Sequence, residues 1–447
     1  MSLYSGFLTK VVAPNLKYGG VTFWENYRLL EKTQWMTKEE LARIQWEKLK
    51  AVIAHAYDNV PYYRNLFKSN GLRPSDITSP EDMQKLPITT KEDFRENFPE
   101  NVTAKNIDKK SWVLNSTSGS TGSPFEFIID HNLIEVERAT LLRGYAWAGL
   151  GFGEKFVTIW GSHKESLSRR LFERYIKRRL MLSAFGLDDE SMTEYVRVVR
   201  RYKPRAIEAY ASAIIKLSEF ILEKKVDDVS VNSVITSAEN LIASHRSTLE
   251  SALNCEVFDR YGSREFGAVA HECEKHEGLH VNMENFFVEF VGEDGKLVDK
   301  KSGRIIVTSF DNLAMPFIRY ETGDLGTPTD KECSCGRKLQ LLERIDGRVT
   351  DFIHVSSRKV SFLFFNYFFE GYGKLVKEFQ VIQKRKDLIQ VLIVPSNSFK
   401  KTTSESIKQG LKKNLGESIR ITVDLVDDIA LDKSGKRPIV KSEIRDH

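Results

Sequence analysis

The sequence predicts an α/β protein: a large N-terminal domain of layered helices and mixed sheets, followed by a small α+β C-terminal domain. Three observations carry this. Helical and strand-like patterns alternate through residues 130–260, which implies βαβ units and a mostly parallel sheet. Residues 281–345 turn β-rich. Residues 347–447 form a separate pattern, entered near Gly347, so the domains are drawn at 1–346 and 347–447.

The elements follow in order. Lys38–Phe67 carries Leu41, Ile44, Leu49 and Ile53 at helical spacing and predicts a helix ending before Pro61. Residues 71–100 read as loops and short helices, punctuated by Pro74, Pro80, Pro87 and Pro99. Short strands are expected at Trp112–Leu114 and Pro124–Ile129, with a Ser/Thr/Gly loop between them. Then come helix Leu133–Ala148, strand Lys155–Trp160, helix Met192–Tyr202, strand Ala206–Ala209, helix Ala213–Lys225, strand Val234–Ser237, helix Ser244–Leu253 and strand Cys255–Arg260. Asn285–Val291, Gly303–Thr308 and Lys338–Arg344 are further strands. In the C-terminal domain Glu378–Gln383 and Leu388–Val394 alternate like a hairpin, Thr403–Leu415 is an amphipathic helix and Arg420–Leu425 a strand; Asp432–Arg437 is a polar loop.

Composition narrows the function class. Of 447 residues, 41% are hydrophobic and 29% charged, as in ordinary globular proteins that bury a core without disulfide staples. The net charge of +5 and pI near 8.7 are spread along the chain, which speaks against nucleic acid as a partner and suits anionic small ligands. The densest basic run, Arg169–Leu180, reads either as a membrane- or phosphate-binding helix or as a solvated helix face, the plainer of the two. The start, MSLYSGFLTKVVAPN, lacks the pattern of a signal peptide, and the apolar run Phe362–Phe369 is too short to span a bilayer. A cytoplasmic protein without stable membrane insertion is expected; oligomeric state is not legible, and a homodimer is left open.

The most informative stretch is Ser116-Thr117-Ser118-Gly119-Ser120-Thr121-Gly122-Ser123-Pro124. Small hydroxylated residues and two glycines let backbone N–H groups approach an anion, and hydroxyls add donors. It is not a Walker A loop, because no Lys follows the second glycine. Alone, such a loop serves as readily as a flexible connection.

The loop resembles the phosphate-loop signature of the adenylate-forming superfamily. Phe125 stands where many members have Lys, as is typical of the phenylacetate–CoA ligase branch, which includes relatives associated with capsular polysaccharide genes. Further segments resemble the family in the family's order. Ser237-Ala238-Glu239 resembles the segment lining the adenine pocket. Asp259-Arg260-Tyr261-Gly262-Ser263-Arg264-Glu265 resembles the Tyr-Gly-x-x-Glu signature. Arg319-Tyr320-Glu321-Thr322-Gly323-Asp324 resembles Tyr-x-Thr-Gly-Asp, Gly347-Arg348 the Gly-Arg before the hinge, and Ser434-Gly435-Lys436 the loop bearing the catalytic lysine. Weaker similarity includes His55–Tyr63 and Leu86–Lys91, so the likeness runs over roughly residues 45–445.

The resemblance implies an acyl-CoA synthetase-like fold with a mobile C-terminal domain, and an AMP-forming ligase using ATP and Mg²⁺. Ser118, Gly119, Ser120, Thr121 and Gly122 would hold phosphates, and Ser237, Ala238, Glu239, Asp259, Tyr261 and Gly262 would line the nucleotide site. Asp324 and Arg348 would hold the ribose, Glu265 would support Mg²⁺, and Lys436 would bridge carboxylate and α-phosphate. The acyl pocket would draw on Trp160–His163 and Tyr210–Ser212; these side chains read equally as core, and the acid itself is not legible. The acceptor is expected to be CoA, with an amine or hydroxyl, or a non-catalytic nucleotide- and zinc-binding protein, as alternatives. Two departures bear on this: Thr350, followed by Asp351, stands where the hinge acid is usual, and Ser357 replaces a glycine that admits pantetheine.

Cys333-Ser334-Cys335 and the upstream segment Cys273 to His280 suggest a metal site. Three thiolates and one imidazole make a closed, structural Zn²⁺ site, and similar segments recur in this branch. The expected ligands are Cys273, His280, Cys333 and Cys335, with His276 as the rival fourth ligand; Cys255 is expected in a strand core. Buried free thiols are the plainer alternative.

Overall fold

Thr37 and Glu40 start the first long helix by exchanging side chain–backbone hydrogen bonds of 3.2 and 3.0 Å, a capping box. The computed structural model describes residues 21–117, 125–161, 173–175, 177–349, 352–355, 358–361, 364–365, 368–369, 371–373, 375–396, 398–430 and 439–444. Helix α1 is Val21–Thr33 and α2 is Lys38–Asn59. The helix does end before Pro61, and the apolar residues beyond it belong to a second helix, α3 (Pro61–Ser69). Proline suits its first position, where the missing N–H leaves no bond unmade. A second capping box, between Thr90 and Asp93, starts α4 (Lys91–Asn97).

β1 (Trp112–Thr117) and β2 (Phe125–Asp130) form an antiparallel pair on either side of the Ser/Thr/Gly loop, whose residues 118–124 lie outside the described residues. The Asp130 carboxylate then accepts from the Leu133 N–H at 2.8 Å and caps α5 (His131–Trp147). The predicted alternation follows: β3 (Phe156–Trp160), β4 (Arg179–Ser183), α6 (Asp189–Tyr202), β5 (Ala206–Tyr210), α7 (Ala211–Glu223), β6 (Ser233–Ser237), α8 (Ala243–Leu253) and β7 (Glu256–Ser263). Within the basic run Arg169–Leu180, residues 169–172 and 176 lie outside the described residues, Glu173–Tyr175 are helical, and only the last two residues depart from the helix, opening β4.

Six further strands complete the sheet: β8 (Gly267–Glu272), β9 (Leu279–Val281), β10 (Phe286–Val291), β11 (Gly303–Ser309), β12 (Tyr320–Thr329) and β13 (Leu341–Arg348). Its order is β10-β11-β12-β13-β9-β8-β7-β6-β5-β3-β4. Strands β3 to β7 pair in parallel, and β7, β8 and β9 pair antiparallel. The mostly parallel sheet expected for 130–260 is therefore one half of a mixed one.

The remainder comprises β14 (Phe352–Val355), β15 (Arg358–Ser361), β16 (Val376–Arg385), β17 (Leu388–Pro395), α9 (Lys401–Leu415), β18 (Arg420–Leu425) and β19 (Val440–Ser442). The chain divides into two compact units: residues up to Thr322 with Gly326–Ile345, and Gly323–Leu325 with the residues from Asp346 onward. The first unit has separate apolar cores around α2–α4 and around α6–α8; the second has a core of its own that includes Val381, Val391, Ile407 and Leu411. Among the described residues no helix is long and apolar enough to cross a membrane.

Candidate active site

Parallel strands end in register, and their carboxyl ends leave a crevice where α/β sheets bind ligands. Here Trp160 ends β3, Tyr210 ends β5 and Ser237 ends β6, with Tyr210, Ser237 and Arg260 side by side. The Trp160 and Tyr210 rings lie 4.2 Å apart. Beyond β6, Ala238 takes a left-handed φ of 71°. One Glu239 oxygen then accepts from the Ser212 N–H at 2.7 Å, at the start of α7, and the other is buried without a partner.

Arg260 and Asp259 are adjacent on β7 and so face opposite sides of the sheet. On the α5 side Arg260 pairs with Glu208 at 2.7 Å, and the Tyr145 hydroxyl donates to the same carboxylate at 2.9 Å. Burial raises the Glu208 pKa, but Arg260 and Tyr145 outweigh it and hold the carboxyl below its ordinary value. On the other side Asp259 accepts from the Thr236 hydroxyl at 3.1 Å and from the Arg260 N–H at 2.9 Å. Burial, then the neighbouring Glu272 charge, pushes its carboxyl up to about 7.

The Tyr-Gly-x-x-Glu segment bends β7 into β8 around a register shift between Tyr261 and Gly262. Glycine is required at 262, because a Cβ there would lie 2.1 Å from the Gly267 carbonyl oxygen. The Tyr261 hydroxyl donates to Thr322 Oγ1 at 3.4 Å, joining this segment to the Tyr-x-Thr-Gly-Asp segment. Glu265 is 8% exposed. Arg264 donates to Asn115 Oδ1 at 2.9 Å, so the segment lies against β1, which leads into the Ser/Thr/Gly loop. Lys91 also stands at the roots of that loop: it donates to Thr117 Oγ1 at 3.3 Å and lies over the Phe125 ring at 5.2 Å. Sequence reasoning noted Lys91 only as a point of likeness; the signal for it was the Thr90 cap, which sets it at the first helical position.

In the second unit Arg348 Nε lies 3.5 Å from Asp324 Oδ1, and Gly323 has the positive φ of 79° that its turn needs. Ser118, Gly119, Ser120, Thr121 and Gly122 lie outside the described residues, as do His163, Thr350, Asp351, Ser357 and Lys436.

Cys273, His280, Cys333 and Cys335 converge, their ligand atoms all within 4.8 Å of one another. Cys273 Sγ to Cys333 Sγ is 3.6 Å, and Cys335 Sγ to His280 Nε2 is 3.4 Å. Tetrahedral Zn²⁺ with bonds of about 2.3 Å to sulfur and 2.0 Å to nitrogen has edges of about 3.5–3.8 Å. The donor set therefore fits. Burial pushes the Cys333 thiol up to about 11 and that of Cys273 higher, so a cation is what would hold them as thiolates. Arg337 supports the group: its backbone N–H donates to Cys335 Sγ at 3.4 Å, and its guanidinium lies 4.7 Å from both the Trp35 and Trp147 rings. His276 stands apart from the four, 3.5 Å from Glu272 and 4.7 Å from the Phe258 ring. Cys255 also stands apart, packed against the core around α6–α8.

Known proteins match this arrangement over most of the chain. The phenylacetate-coenzyme A ligase of Pseudomonas putida is 29% identical over 335 residues, 73% of this chain and 74% of the relative. The chain is similar to the phenylacetate–CoA ligases over nearly three quarters of its length. Protein CapK of Staphylococcus aureus is 25% identical over 416 residues, 91% of this chain and 90% of its own, and residues 352–443 match the CapK C-terminal domain family. A crystal structure of 2-hydroxyisobutyryl-CoA ligase in the postadenylation state shares the fold, with a TM-score of 0.77 at 19% identity, covering 92% of this chain and 91% of that one.

Within this fold the first unit brings together Ser237, Ala238, Glu239, Asp259, Tyr261, Gly262 and Glu265 at one end of the parallel strands. Of these, Asp259 turns its carboxyl to the face away from Arg260 and bonds within the sheet. Glu239 holds the start of α7 with one oxygen and keeps the other free.

Proposed function

We propose that this protein is an ATP-dependent, AMP-forming carboxylic acid ligase that makes an acyl-adenylate and transfers the acyl group to CoA. One observation carries the reading: the Tyr-Gly-x-x-Glu segment, the ends of β5 and β6 and the roots of the Ser118–Gly122 loop share one edge of the parallel sheet. Similarity to the phenylacetate–CoA ligases supports it.

In the first half-reaction a carboxylate oxygen attacks the α-phosphorus of ATP, and the bond to the bridging oxygen breaks to release pyrophosphate. Ser118, Gly119, Ser120, Thr121 and Gly122 cradle the β- and γ-phosphates, and Lys91 adds a cation at the loop's root. Ser237, Ala238 and Glu239 line the adenine, Tyr261 stacks beside it, and Gly262 allows the tight turn that follows. Asp259 anchors this strand end. Asp324 and Arg348 hold the ribose, and Lys436 offsets charge between carboxylate and α-phosphate. Glu265 is the carboxylate suited to Mg²⁺, an ion that neutralises phosphate charge. In the second half-reaction the CoA thiol attacks the acyl carbon and AMP leaves with the anhydride oxygen, the thiol proton passing to water. Residues 347–447 move between the two steps, carrying Lys436 away and admitting the acceptor. Both co-substrates are cytoplasmic, and so is the proposed location.

Pyrophosphate release across a library of carboxylic acids, with hydroxylamine trapping, tests the first step. At least one acid should give ATP-dependent release, and none doing so removes the proposal. Lys436→Ala should abolish release while leaving ATP binding largely intact. Adding CoA should convert trapped adenylate to thioester; acylation of amines in place of CoA would reassign the acceptor.

Cys273, His280, Cys333 and Cys335 are proposed to hold one structural Zn²⁺, since four protein ligands leave no open position. Metal analysis should find one zinc per chain, lost in Cys333→Ser, and chelation should lower the melting midpoint. A purified chain free of zinc yet equally stable would return the group to buried thiols.

A further inference from the structure

Glu272 takes no part in the adenylation chemistry, yet it stands where the metal site meets the strand that carries Asp259 to Gly262. It is the last residue of β8, it is buried, and Cys273, the first of the four converging metal-site residues, follows it directly. The backbone pairing of β7 with β8 stops at Arg260 and His271. One residue further out a side chain continues it: Glu272 Oε2 accepts from the Asp259 N–H at 2.7 Å. A backbone donor inside a sheet needs a partner, so this carboxylate decides where β7 stands as it enters the Asp259–Gly262 segment.

The same carboxylate reaches a second element. Arg246 Nη2 donates to its two oxygens, at 2.9 and 2.8 Å, and Arg246 Nη1 donates to the Val257 carbonyl on β7. Arg246 lies in the first turn of α8, the helix that follows the Ser237-Ala238-Glu239 segment. The two elements that flank the backbone proposed to line the adenine are thus fastened to one side chain. The metal-site loop holds that side chain from the other direction. The His276 N–H donates to the Cys273 carbonyl at 3.0 Å, and the His276 ring lies 3.5 Å from Glu272 Oε2 and 4.7 Å from the Phe258 ring. Cys273 is fully buried, its Sγ 3.6 Å from that of Cys333.

We infer that Glu272 is a positioning residue that couples the metal site to the nucleotide site. A cation held by the four ligands fixes Cys273, Cys273 fixes the adjoining Glu272 carboxylate, and the carboxylate sets β7 and α8 on either side of the adenine-lining backbone. Without the cation the end of β8 is free to open locally, and both elements lose their common anchor. This deepens the adenylation and zinc readings and rests on them. Coupling between two sites changes affinity by about 5–150-fold.

The test uses a fluorescent ATP analogue, which reports nucleotide binding without any acid, together with zinc content. Stripping zinc from the wild-type chain with a chelator should raise the Kd for the analogue at least about fivefold, and returning zinc should restore it. Glu272→Ala should raise it to a similar degree while keeping one zinc per chain. Glu272→Gln should recover most of the loss, because the amide oxygen still accepts from the Asp259 N–H. Stripping zinc from Glu272→Ala should then weaken binding no further, the non-additivity expected of two changes along one line of contacts. With an acid identified by pyrophosphate release, the KM for ATP should follow the Kd while kcat stays within about twofold. A wild type that holds no zinc, a Kd that ignores zinc, a Glu272→Ala chain that loses melting midpoint but not affinity, or effects of zinc loss and Glu272→Ala that simply multiply would each overturn the inference and leave adenylation standing. A chain that binds no ATP analogue overturns both. The zinc-stripped wild type decides the matter even where Glu272→Ala fails to fold.

Discussion

Asp259 and Arg260 are neighbours in sequence, yet the two faces of β7 bury their charges in different ways. On the α5 face one guanidinium meets one carboxylate at 2.7 Å, and a tyrosine hydroxyl completes the set. Charge is balanced there, and Glu208 stays ionised despite burial. On the α8 face two carboxyls, Asp259 and Glu272, are crowded together. Arg246 Nη2 donates to both Glu272 oxygens, at 2.9 and 2.8 Å, while its Nη1 donates to the Val257 carbonyl, and His276 also leans on Glu272 at 3.5 Å. Asp259 is left with a hydroxyl and a backbone N–H, and its carboxyl rises to about 7. The same depth in the same sheet produces an ionised acid or a half-protonated one according to how many counter-charges each face supplies.

The balanced face should break hardest. Arg260→Met leaves Glu208 buried without its cation, and removing one partner of a buried pair costs about 3–5 kcal/mol. Denaturant unfolding should register that loss. Glu208→Gln added to the same chain should recover much of it, because no uncompensated charge then remains. A double variant no more stable than Arg260→Met would show that the pair is not the unit holding this face.

The crowded face should show its difference in pH. Asp259 has a folded pKa near 7 against about 3.9 when unfolded. Between those values the folded chain binds more protons than the unfolded one, so this acid makes stability fall as pH rises from about 4 to 7. Asp259→Asn removes that slope. The variant should gain on the wild type by an amount on the order of 2 kcal/mol between pH 5 and pH 8, read from unfolding midpoints at each pH. Comparing the two chains cancels the other groups on this face, Glu272, Arg246 and His276. A difference that stays constant with pH would mean Asp259 is ionised throughout.

How much of this was legible in the sequence follows from the range of each interaction. Strands β3, β5, β6 and β7 announced themselves through apolar runs separated by helices, and the site residues at their ends came with short motifs. The partners did not: Tyr145, Glu208 and Arg260 are far apart in sequence and meet only when the sheet assembles in the order β7-β6-β5 under α5. β4 was hidden because Arg179–Ser183 is evenly half-buried and follows a run of basic residues that looks helical. β9 is only three residues long and takes its place from pairing with β8 and β13, a context no local pattern supplies. The cysteines were legible by spacing, but choosing His280 over His276 needed the fold: His276 takes a left-handed φ of 53° that turns it toward Glu272.

The smallest effect is expected at the strand end. Ala238 holds a φ of 71°, where an L-residue is strained by about 1 kcal/mol or more. Ala238→Gly relieves that strain but gives the unfolded chain more freedom, which costs about 0.4–1 kcal/mol. The two terms nearly cancel, leaving a net gain of about 0.5 kcal/mol and a melting midpoint raised by a degree or so. The functional term need not cancel. The left-handed step is what turns the chain after Ser237 so that Glu239 meets the Ser212 N–H, and it fixes the backbone proposed to line the adenine. With glycine that backbone has other conformations to visit, so the KM for ATP should rise a few fold while kcat holds. An unchanged KM alongside a raised midpoint would assign the strain to folding alone and take Ala238 out of the nucleotide site.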